Sequence, residues 1–277
     1  MPELPEVETV VRDLISHNIC GCKISDVSVT WPRIITPLTA ELFAKAVKEL
    51  TLTQITRRGK YIIIQLCDGS SLYIHLRMTG KLQVHPHTFK AGKHDHIVFG
   101  LSDKRKLVYN DTRKFGRVTL TKKVHPSVAA LGPEPLEKEF TKIWLSKALA
   151  GKSRKMKPLL LDQSFIAGLG NIYVDEVLWQ ARIHPERLSS SITPRESNAL
   201  HKAIQSVLKC GIKNSGTTLG NGESNFYSVA GHRGRNADQL KVFRRTGQPC
   251  PNCGTTIERL IVGQRSTHIC PKCQTKR

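Results

Sequence analysis

The residues with the clearest chemical potential stand at the start of the chain, where Pro2, Glu3 and Glu6 lie close together. We expect Met1 to be removed, because the residue after it is small, and this leaves the proline nitrogen as a secondary amine. An α-amino group has a pKa of about 8, so part of it is neutral near pH 7 and can attack an electrophilic carbon. A secondary amine forms a cationic iminium directly, and the two carboxyls can move the protons that this chemistry needs.

The same segment can also be explained as the start of a helix. Proline is favoured in a first helical turn, and acidic side chains suit the positive end of the helix dipole. Taken alone, these residues favour this structural explanation over the catalytic one.

Half of the eight cysteines form two C-x2-C pairs near the C-terminus. These are Cys250, Cys253, Cys270 and Cys273. The spacing is typical of a zinc site, and four thiolates complete a tetrahedron with no open coordination position. The sequence therefore predicts one structural Zn²⁺ ion. We expect the scattered cysteines to be free thiols in a reducing compartment.

Several turns carry side chains suited to nucleic acid. Lys60 follows a basic turn at the entry to a strand and could clamp a phosphate, or it could belong to a solvated run of charges. Met78 closes an alternating strand and is either core or an apolar wedge between base steps. Phe115 and Arg113 share a polar turn and could fill a vacated base position, or simply pack there. Asn171 begins a helix after a glycine-rich turn, where anions are favoured.

The elements that must position these residues follow from apolar periodicity. A helix is predicted from Glu3 to His17. Strands are predicted over 61–66, 72–78, 96–101, 106–110 and 117–121, and helices over 143–150, 157–166, 172–181 and 194–211. We divide the chain into an N-terminal β domain (1–125), a proline- and glycine-rich linker (126–137), a helical domain (138–239) and a zinc hairpin (240–277). The fold class is α+β.

The charge balance identifies the partner class. The chain has 43 Lys and Arg against 22 Asp and Glu, a formal net charge of +21. Such a charge favours a polyanion, with nucleic acid first and a membrane surface second. The sequence lacks an apolar run of the roughly 18 residues that a membrane helix needs, and it shows no secretory signal. We therefore expect a cytoplasmic, nucleoid-associated protein.

Six short motifs occur together along nearly the whole chain. They are MPELPEVE at the start, RRGKY (57–61), HLRMTG (75–80), DTRKFG (111–116), GLGNIY (168–173) and QRSTH (264–268). In this combination the chain resembles the bacterial formamidopyrimidine-DNA glycosylase family, which includes endonuclease VIII. The resemblance implies an N-terminal β-sandwich flanked by helices, a helix–two-turn–helix domain and a C-terminal zinc-finger β-hairpin, with DNA in the cleft between domains.

The resemblance also implies residue roles. Pro2 would attack the deoxyribose C1′, Glu3 would protonate the sugar ring oxygen, and Glu6 would support that geometry. Four residues are implied to bind phosphates or the DNA around the flipped nucleotide: Lys60, His75, Asn171 and Arg265. Of these, we group Lys60 with the catalytic residues. Met78, Arg113 and Phe115 would fill the gap in the duplex.

The implied activity is that of a bifunctional DNA glycosylase and abasic-site lyase. It would release oxidised purines (8-oxoguanine and formamidopyrimidines) and cleave the strand by β,δ-elimination. The partner would be double-stranded DNA with oxidised bases or abasic sites, bound by a monomer without a membrane. Residues 217–238 depart from the family pattern of the lesion-capping loop, so the resemblance assigns no roles to individual residues of this segment.

Two alternatives remain. An endonuclease VIII-like specificity for oxidised pyrimidines is disfavoured by the intact set of Met78, Arg113 and Phe115. A non-catalytic protein that binds damaged DNA is disfavoured by the intact N-terminal group.

The net charge leads to a first prediction. Because phosphate contacts should dominate binding, log affinity for DNA is expected to fall linearly with log salt, by about 0.9 per phosphate neutralised. Lys60→Ala and Arg265→Ala should each flatten this slope by roughly one unit, as measured by binding titrations over a range of salt. An affinity that does not change with salt would contradict the prediction.

Overall fold

The computed structural model describes residues 1–220, 222 and 226–276, and the chain forms two compact units. The first comprises Met1–Ala129 and Asn214–Ala237, and the second comprises Ala130–Lys213 and Asp238–Arg277. The predicted linker, residues 126–137, contains the first boundary between them. Among the residues described, no helix is long and apolar enough to cross a membrane.

The first unit is the β-sandwich that the sequence predicts. Antiparallel strands form two four-stranded sheets, ordered β1-β6-β7-β5 and β2-β3-β4-β8. The strands are β1 (Ile24–Val29), β2 (Leu52–Arg58), β3 (Tyr61–Leu66), β4 (Ser71–His75), β5 (Gly80–Pro86), β6 (Asp95–Leu101), β7 (Arg105–Asp111) and β8 (Arg117–Thr121). Alternate apolar side chains of both sheets, such as Ile62, Ile64 and Phe99, are buried in a shared core.

Helices α1 (Leu4–Ser16), α2 (Ala40–Val47) and α3 (Pro126–Ala129) complete the first unit. Helix α1 matches its predicted position and buries Val7, Val10 and Leu14 in the sandwich core. It packs against β2 and β3, so its first residues lie beside the sheet and not in a frayed end.

The segment 214–237 belongs to the first unit, whereas the sequence division groups it with the helical region 138–239. The physical reason is that Val229 is buried in the sandwich core and donates its backbone N–H to the Asp13 carboxylate on α1, at 3.1 Å. Residues 221 and 223–225 of the predicted lesion-capping loop lie outside the described residues.

Among its described residues, the second unit contains four α-helices and one β-hairpin. They are α4 (Lys142–Ala150), α5 (Met156–Leu161), α6 (Asn171–Gln180), α7 (Pro194–Lys213), β9 (Glu258–Val262) and β10 (Arg265–Ile269). Helix α6 packs against α5, α7 and β10, which makes it the central element of the unit.

Two predicted boundaries are wrong for local reasons. The strand expected to reach Met78 ends at His75, because Arg77 takes a left-handed φ of +54° that a strand does not allow. The helix expected to reach residue 166 ends at Leu161, because the Asp162 carboxylate accepts the N–H of Ser164 at 3.0 Å and forms a competing turn.

Candidate functional site

The N-terminal group is buried at the start of α1. Pro2 is buried, and Glu3 and Glu6 expose only 2% and 1% of their surface. One Glu6 oxygen accepts the backbone N–H of Glu3 at 2.8 Å, and the other accepts that of Thr217 at 2.7 Å. Glu6 is therefore engaged through both oxygens as an acceptor, which suits a residue that holds the segment in place.

Gly216 allows this arrangement. Its φ is +77°, and a Cβ at this position would come within 2.9 Å of Glu6 Cγ. Only glycine therefore lets the following amide approach the carboxylate so closely. Sequence analysis did not identify Gly216 or Thr217 as part of this site.

Lys60 lies in the tight turn between β2 and β3, after Gly59 at φ +56°, and it is only 6% exposed. The Arg57 side chain ties this turn to α1, since it donates to the Glu8 carboxylate at 3.0 Å and to the Gly59 carbonyl at 3.1 Å. Burial alone would raise the pKa of Glu8, but hydrogen bonds from Arg12 and Arg57 outweigh burial and hold this pKa below its usual value. The turn and the N-terminal group are thus fixed to the same helix.

His75 is a neutral imidazole beside that turn. Its Nδ1 accepts the N–H of Arg77 at 3.0 Å, so the remaining ring proton is on Nε2. Burial, followed by the charges of Arg77 and Lys60, lowers the pKa of His75 to about 3. This residue can therefore offer a ligand a neutral N–H donor and not a positive charge.

Met78, Arg113 and Phe115 lie on two exposed turns of the first unit. Met78 is 41% exposed and Phe115 is 47% exposed, so neither belongs to the core. The Arg113 guanidinium carbon lies 5.0 Å from the centre of the Phe115 ring. The structure thus excludes the core explanation of Met78, and it presents two bulky apolar side chains and one cation at the surface.

In the second unit, Asn171 and Arg265 are brought together. Asn171 is the first residue of α6, and its side-chain amide donates to the Ser266 carbonyl at 3.0 Å. Arg265, the residue before Ser266, begins β10 and is exposed. The start of the helix and the start of the strand are therefore joined at one point.

A buried ion cluster, which sequence analysis missed, holds this junction. Lys157 donates to the Asp175 carboxylate at 2.6 Å and to the Ser266 carbonyl at 2.8 Å. The other Asp175 oxygen accepts the backbone N–H and Nδ1 of His268 at 2.9 and 3.0 Å. Lys157 is 0% exposed and Asp175 is 1% exposed. The cluster thereby fixes α5, α6 and β10 to one another.

Glu176 performs a similar task for the first residues of the zinc hairpin. Its carboxylate accepts the backbone N–H groups of Lys241, Val242 and Phe243 at 2.8 to 2.9 Å. Burial raises the pKa of Glu176 above its usual value, although the three amide hydrogen bonds act to lower it. The available sequence signal was the pair Asp175-Glu176 inside an otherwise apolar helix, since buried acids require partners.

The four cysteines form a metal site. Their Sγ atoms all lie within 4.8 Å of one another, including 3.4 Å between Cys253 and Cys270 and 3.9 Å between Cys250 and Cys273. A tetrahedral zinc with Zn–S bonds of about 2.3 Å requires sulfurs about 3.8 Å apart, so the set fits. Trp179 Nε1 donates to Cys250 Sγ at 3.4 Å, as expected for support of a thiolate ligand.

Comparison with known proteins gives consistent matches along the chain. Residues 1–118 match the formamidopyrimidine-DNA glycosylase N-terminal domain, 131–221 match the H2TH domain of the same enzymes, and 247–276 match a zinc finger found in FPG and IleRS. A formamidopyrimidine-DNA glycosylase of Protochlamydia amoebophila is 45% identical over 276 residues, covering 100% of each chain. The chain belongs to the formamidopyrimidine-DNA glycosylase family.

Solved structures of similar glycosylases agree with this assignment. A Lactococcus lactis FPG mutant in complex with DNA containing Fapy-dG has a TM-score of 0.92 and 38% identity, over 99% of this chain and 100% of that chain. MutM in complex with DNA containing carbocyclic 8-oxo-G has a TM-score of 0.91 and 38% identity, with the same coverage. The β-sandwich, the H2TH region and the zinc finger are therefore those of this glycosylase family.

The zinc site of this glycosylase leads to a prediction. Because four thiolates leave no position for a catalytic water, Cys250→Ser or Cys273→Ser should lose both metal and DNA affinity, while the β-sandwich stays folded. Metal analysis, DNA titration and circular dichroism check these three effects. Cys20→Ser, at an exposed thiol outside the cluster, is the control and should behave as wild type. Normal DNA binding by a zinc-free variant would contradict the prediction.

The neutral state of His75 leads to a pH prediction. Its folded pKa of about 3 lies below the value of about 6.5 in the unfolded chain, so acidification protonates the unfolded state first. Stability from this group is full above pH 6.5 and falls by up to about 1.4 kcal/mol per pH unit as pH drops from 6.5 towards 3. His75→Gln should remove this slope from denaturant unfolding curves, whereas His87→Gln, at an exposed position, should retain it. An unchanged slope in His75→Gln would rule out the neutral assignment.

Proposed function

We propose that this DNA glycosylase of base-excision repair excises oxidised purines through the Pro2 nitrogen and then cleaves the strand as an abasic-site lyase. The structural relatives bound to Fapy-dG and 8-oxo-G support the substrate class. The burial of Pro2 and Glu3 beside the doubly engaged Glu6 carboxylate is the observation that carries the catalytic assignment.

The reaction begins after removal of Met1, which is 51% exposed. The lone pair of the Pro2 nitrogen attacks C1′, and the bond to the damaged base breaks, so that the base leaves with the bonding electrons. The Pro2 nitrogen gives up its proton, which neutralises the departing base. Glu3 then protonates the ring oxygen O4′, the C1′–O4′ bond opens and a cationic iminium forms. Glu6 holds the backbone of Glu3 and Thr217 during these steps and is a positioning residue.

The iminium explains strand cleavage. It withdraws electrons and makes the C2′ proton acidic, so a base can remove it and the 3′ phosphate leaves by β-elimination. A second elimination expels the 5′ phosphate. The zinc takes no part in these steps, since its site is closed by four sulfurs.

The remaining site residues bind and deform the DNA. We assign phosphate contacts to Lys60, His75, Asn171 and Arg265, because each offers an N–H donor near a turn or an element end. Extrusion of the damaged nucleotide falls to Met78, Arg113 and Phe115, which reach out from exposed turns. With chromosomal DNA as its substrate, the enzyme acts as a monomer at the nucleoid.

The catalytic assignment is tested by borohydride trapping on DNA with an abasic site. Reduction of the iminium should give a covalent complex, and peptide mapping should place the adduct on Pro2. A chain that retains Met1 should give no adduct, because its proline nitrogen is an amide, although it should still bind DNA containing an uncleavable abasic analogue. An adduct on Lys60 or another lysine, or trapping by the chain with Met1, would overturn the assignment. Failure of the mature chain to trap would favour a non-catalytic binding protein.

A further inference from the structure

The two exposed turns of the first unit meet at one buried carboxylate. Asp111 ends β7 and is 0% exposed. Its Oδ1 accepts the hydroxyl of Thr79 from the turn of Met78, and it also accepts the backbone N–H of Arg113 at 3.1 Å. Its Oδ2 accepts the backbone N–H of Gly116 at 2.8 Å. One side chain therefore bonds to both turns.

The backbone that carries this carboxylate is bonded to the neighbouring strand β6 and to the turn before it. The backbone N–H of Asp111 donates to the His94 carbonyl at 2.9 Å, and the backbone carbonyl of Asp111 bonds to His96 Nε2 at 2.8 Å. The Thr79 hydroxyl oxygen also lies 3.2 Å from the Arg113 nitrogen and accepts a share of its hydrogen bond. Thr79 thus links the two turns directly as well as through Asp111.

The buried side chain of Tyr109 also restrains the same two turns, on the side that faces the core. Tyr109 is fully buried on β7, and a Cβ on Gly80 or on Gly116 would overlap its hydroxyl. Gly80 follows the turn of Met78, and Gly116 ends the turn of Phe115. Because both glycine backbones lie against the same ring, neither turn can move inward without displacing it.

The turn of Phe115 has one further restraint. The Arg117 guanidinium donates to the Gly116 carbonyl at 2.7 Å and to the Phe115 carbonyl at 3.3 Å. The backbone that carries Phe115 is thus bonded at both its N–H and its carbonyl groups, although the ring itself is about half exposed.

We propose that Asp111 and Thr79 are positioning residues that join the two turns into one rigid unit for base extrusion. The proposal rests on the extrusion role assigned above to Met78, Arg113 and Phe115. Unstacking a paired base costs a few kcal/mol, and a side chain on an independent, yielding turn would move aside before the base did. Because both turns are bonded to the same carboxylate, a force that the DNA exerts on one turn is also borne by the other turn and by β7.

The test compares excision of 8-oxoguanine from duplex DNA with cleavage at a preformed abasic site, where little extrusion work remains. Thr79→Val keeps the shape of the side chain and removes the hydroxyl, so excision should fall about tenfold or more relative to cleavage, as expected for one lost hydrogen bond to a buried charge. Thr79→Ser keeps the hydroxyl and should restore the wild-type ratio. Equal losses in Thr79→Val and Thr79→Ser, or an unchanged ratio in Thr79→Val, would overturn the coupling.

Thr30→Val is a control at the residue that follows β1, since it removes a threonine hydrogen bond to the Asp95 carbonyl at 2.8 Å that touches neither turn. Its ratio should be that of wild type, and a selective loss there would overturn the proposal. If Thr79→Val does not fold, Asp111→Asn, which turns one acceptor into a donor towards a backbone N–H, should show the same selective loss. A wild-type ratio in Asp111→Asn would likewise overturn it.

Phe115→Ala, measured in parallel, separates the coupling from the extrusion role. If Phe115→Ala loses excision selectively and Thr79→Val does not, the extrusion role stands and the coupling is wrong. If Phe115→Ala loses nothing selectively, the extrusion role itself fails. In the double variant Thr79→Val with Phe115→Ala, a fold-loss of excision smaller than the product of the two single fold-losses supports a shared function.

Discussion

The Glu6 carboxylate is the contact on which the arrangement of the N-terminal residues depends. It joins the first helical turn to a segment more than two hundred residues later by accepting the amides of Glu3 and Thr217. A buried carboxylate is costly unless its oxygens are satisfied, so the chain has one low-energy arrangement at this point. That arrangement holds the terminal proline at a defined place beside a second acid.

Buried carboxylates act in the same way at three further points described above. Asp111 binds backbone amides and a hydroxyl under the exposed turns, Asp175 binds Lys157 and His268, and Glu176 binds three successive amides at the start of the zinc hairpin. In a chain with 43 basic and 22 acidic residues, these buried acids do not face the partner. They organise the backbone, while cationic and apolar side chains remain at the surface for the nucleic acid.

The separation of buried acids from basic surface residues explains how this protein can have a rigid site and still bind a polyanion. Basic side chains on the surface attract the phosphates over a distance and with little geometric demand. Catalysis and base extrusion demand fixed positions, because a displacement of about 1 Å can cost orders of magnitude in rate. Buried charge-assisted hydrogen bonds supply that rigidity without reducing the positive surface.

The sequence by itself determined the local and chemical features of this protein. The helix at the N-terminus, the strand-rich first domain, the cysteine ligands and the polyanionic partner follow from short-range patterns or from composition, whereas the β-sandwich follows from the family resemblance. The structure and the comparisons confirm them. The motifs also pointed to Lys60, Met78 and Phe115, because turn residues between regular elements stand out in a single sequence. These features require no knowledge of which distant segments meet.

The tertiary structure alone decided which residues position the site. Thr217 with Glu6, Thr79 with Asp111, and Lys157 with Asp175 are pairs of ordinary polar residues, and nothing in their spacing indicates that they touch. The physical reason is that a buried carboxylate takes whatever amide or cation the packing of distant elements brings within about 3 Å. The assembly of sheets and helices therefore selects the partner of each carboxylate. The tertiary structure also showed that β4 ends before Met78, so this candidate core residue is exposed.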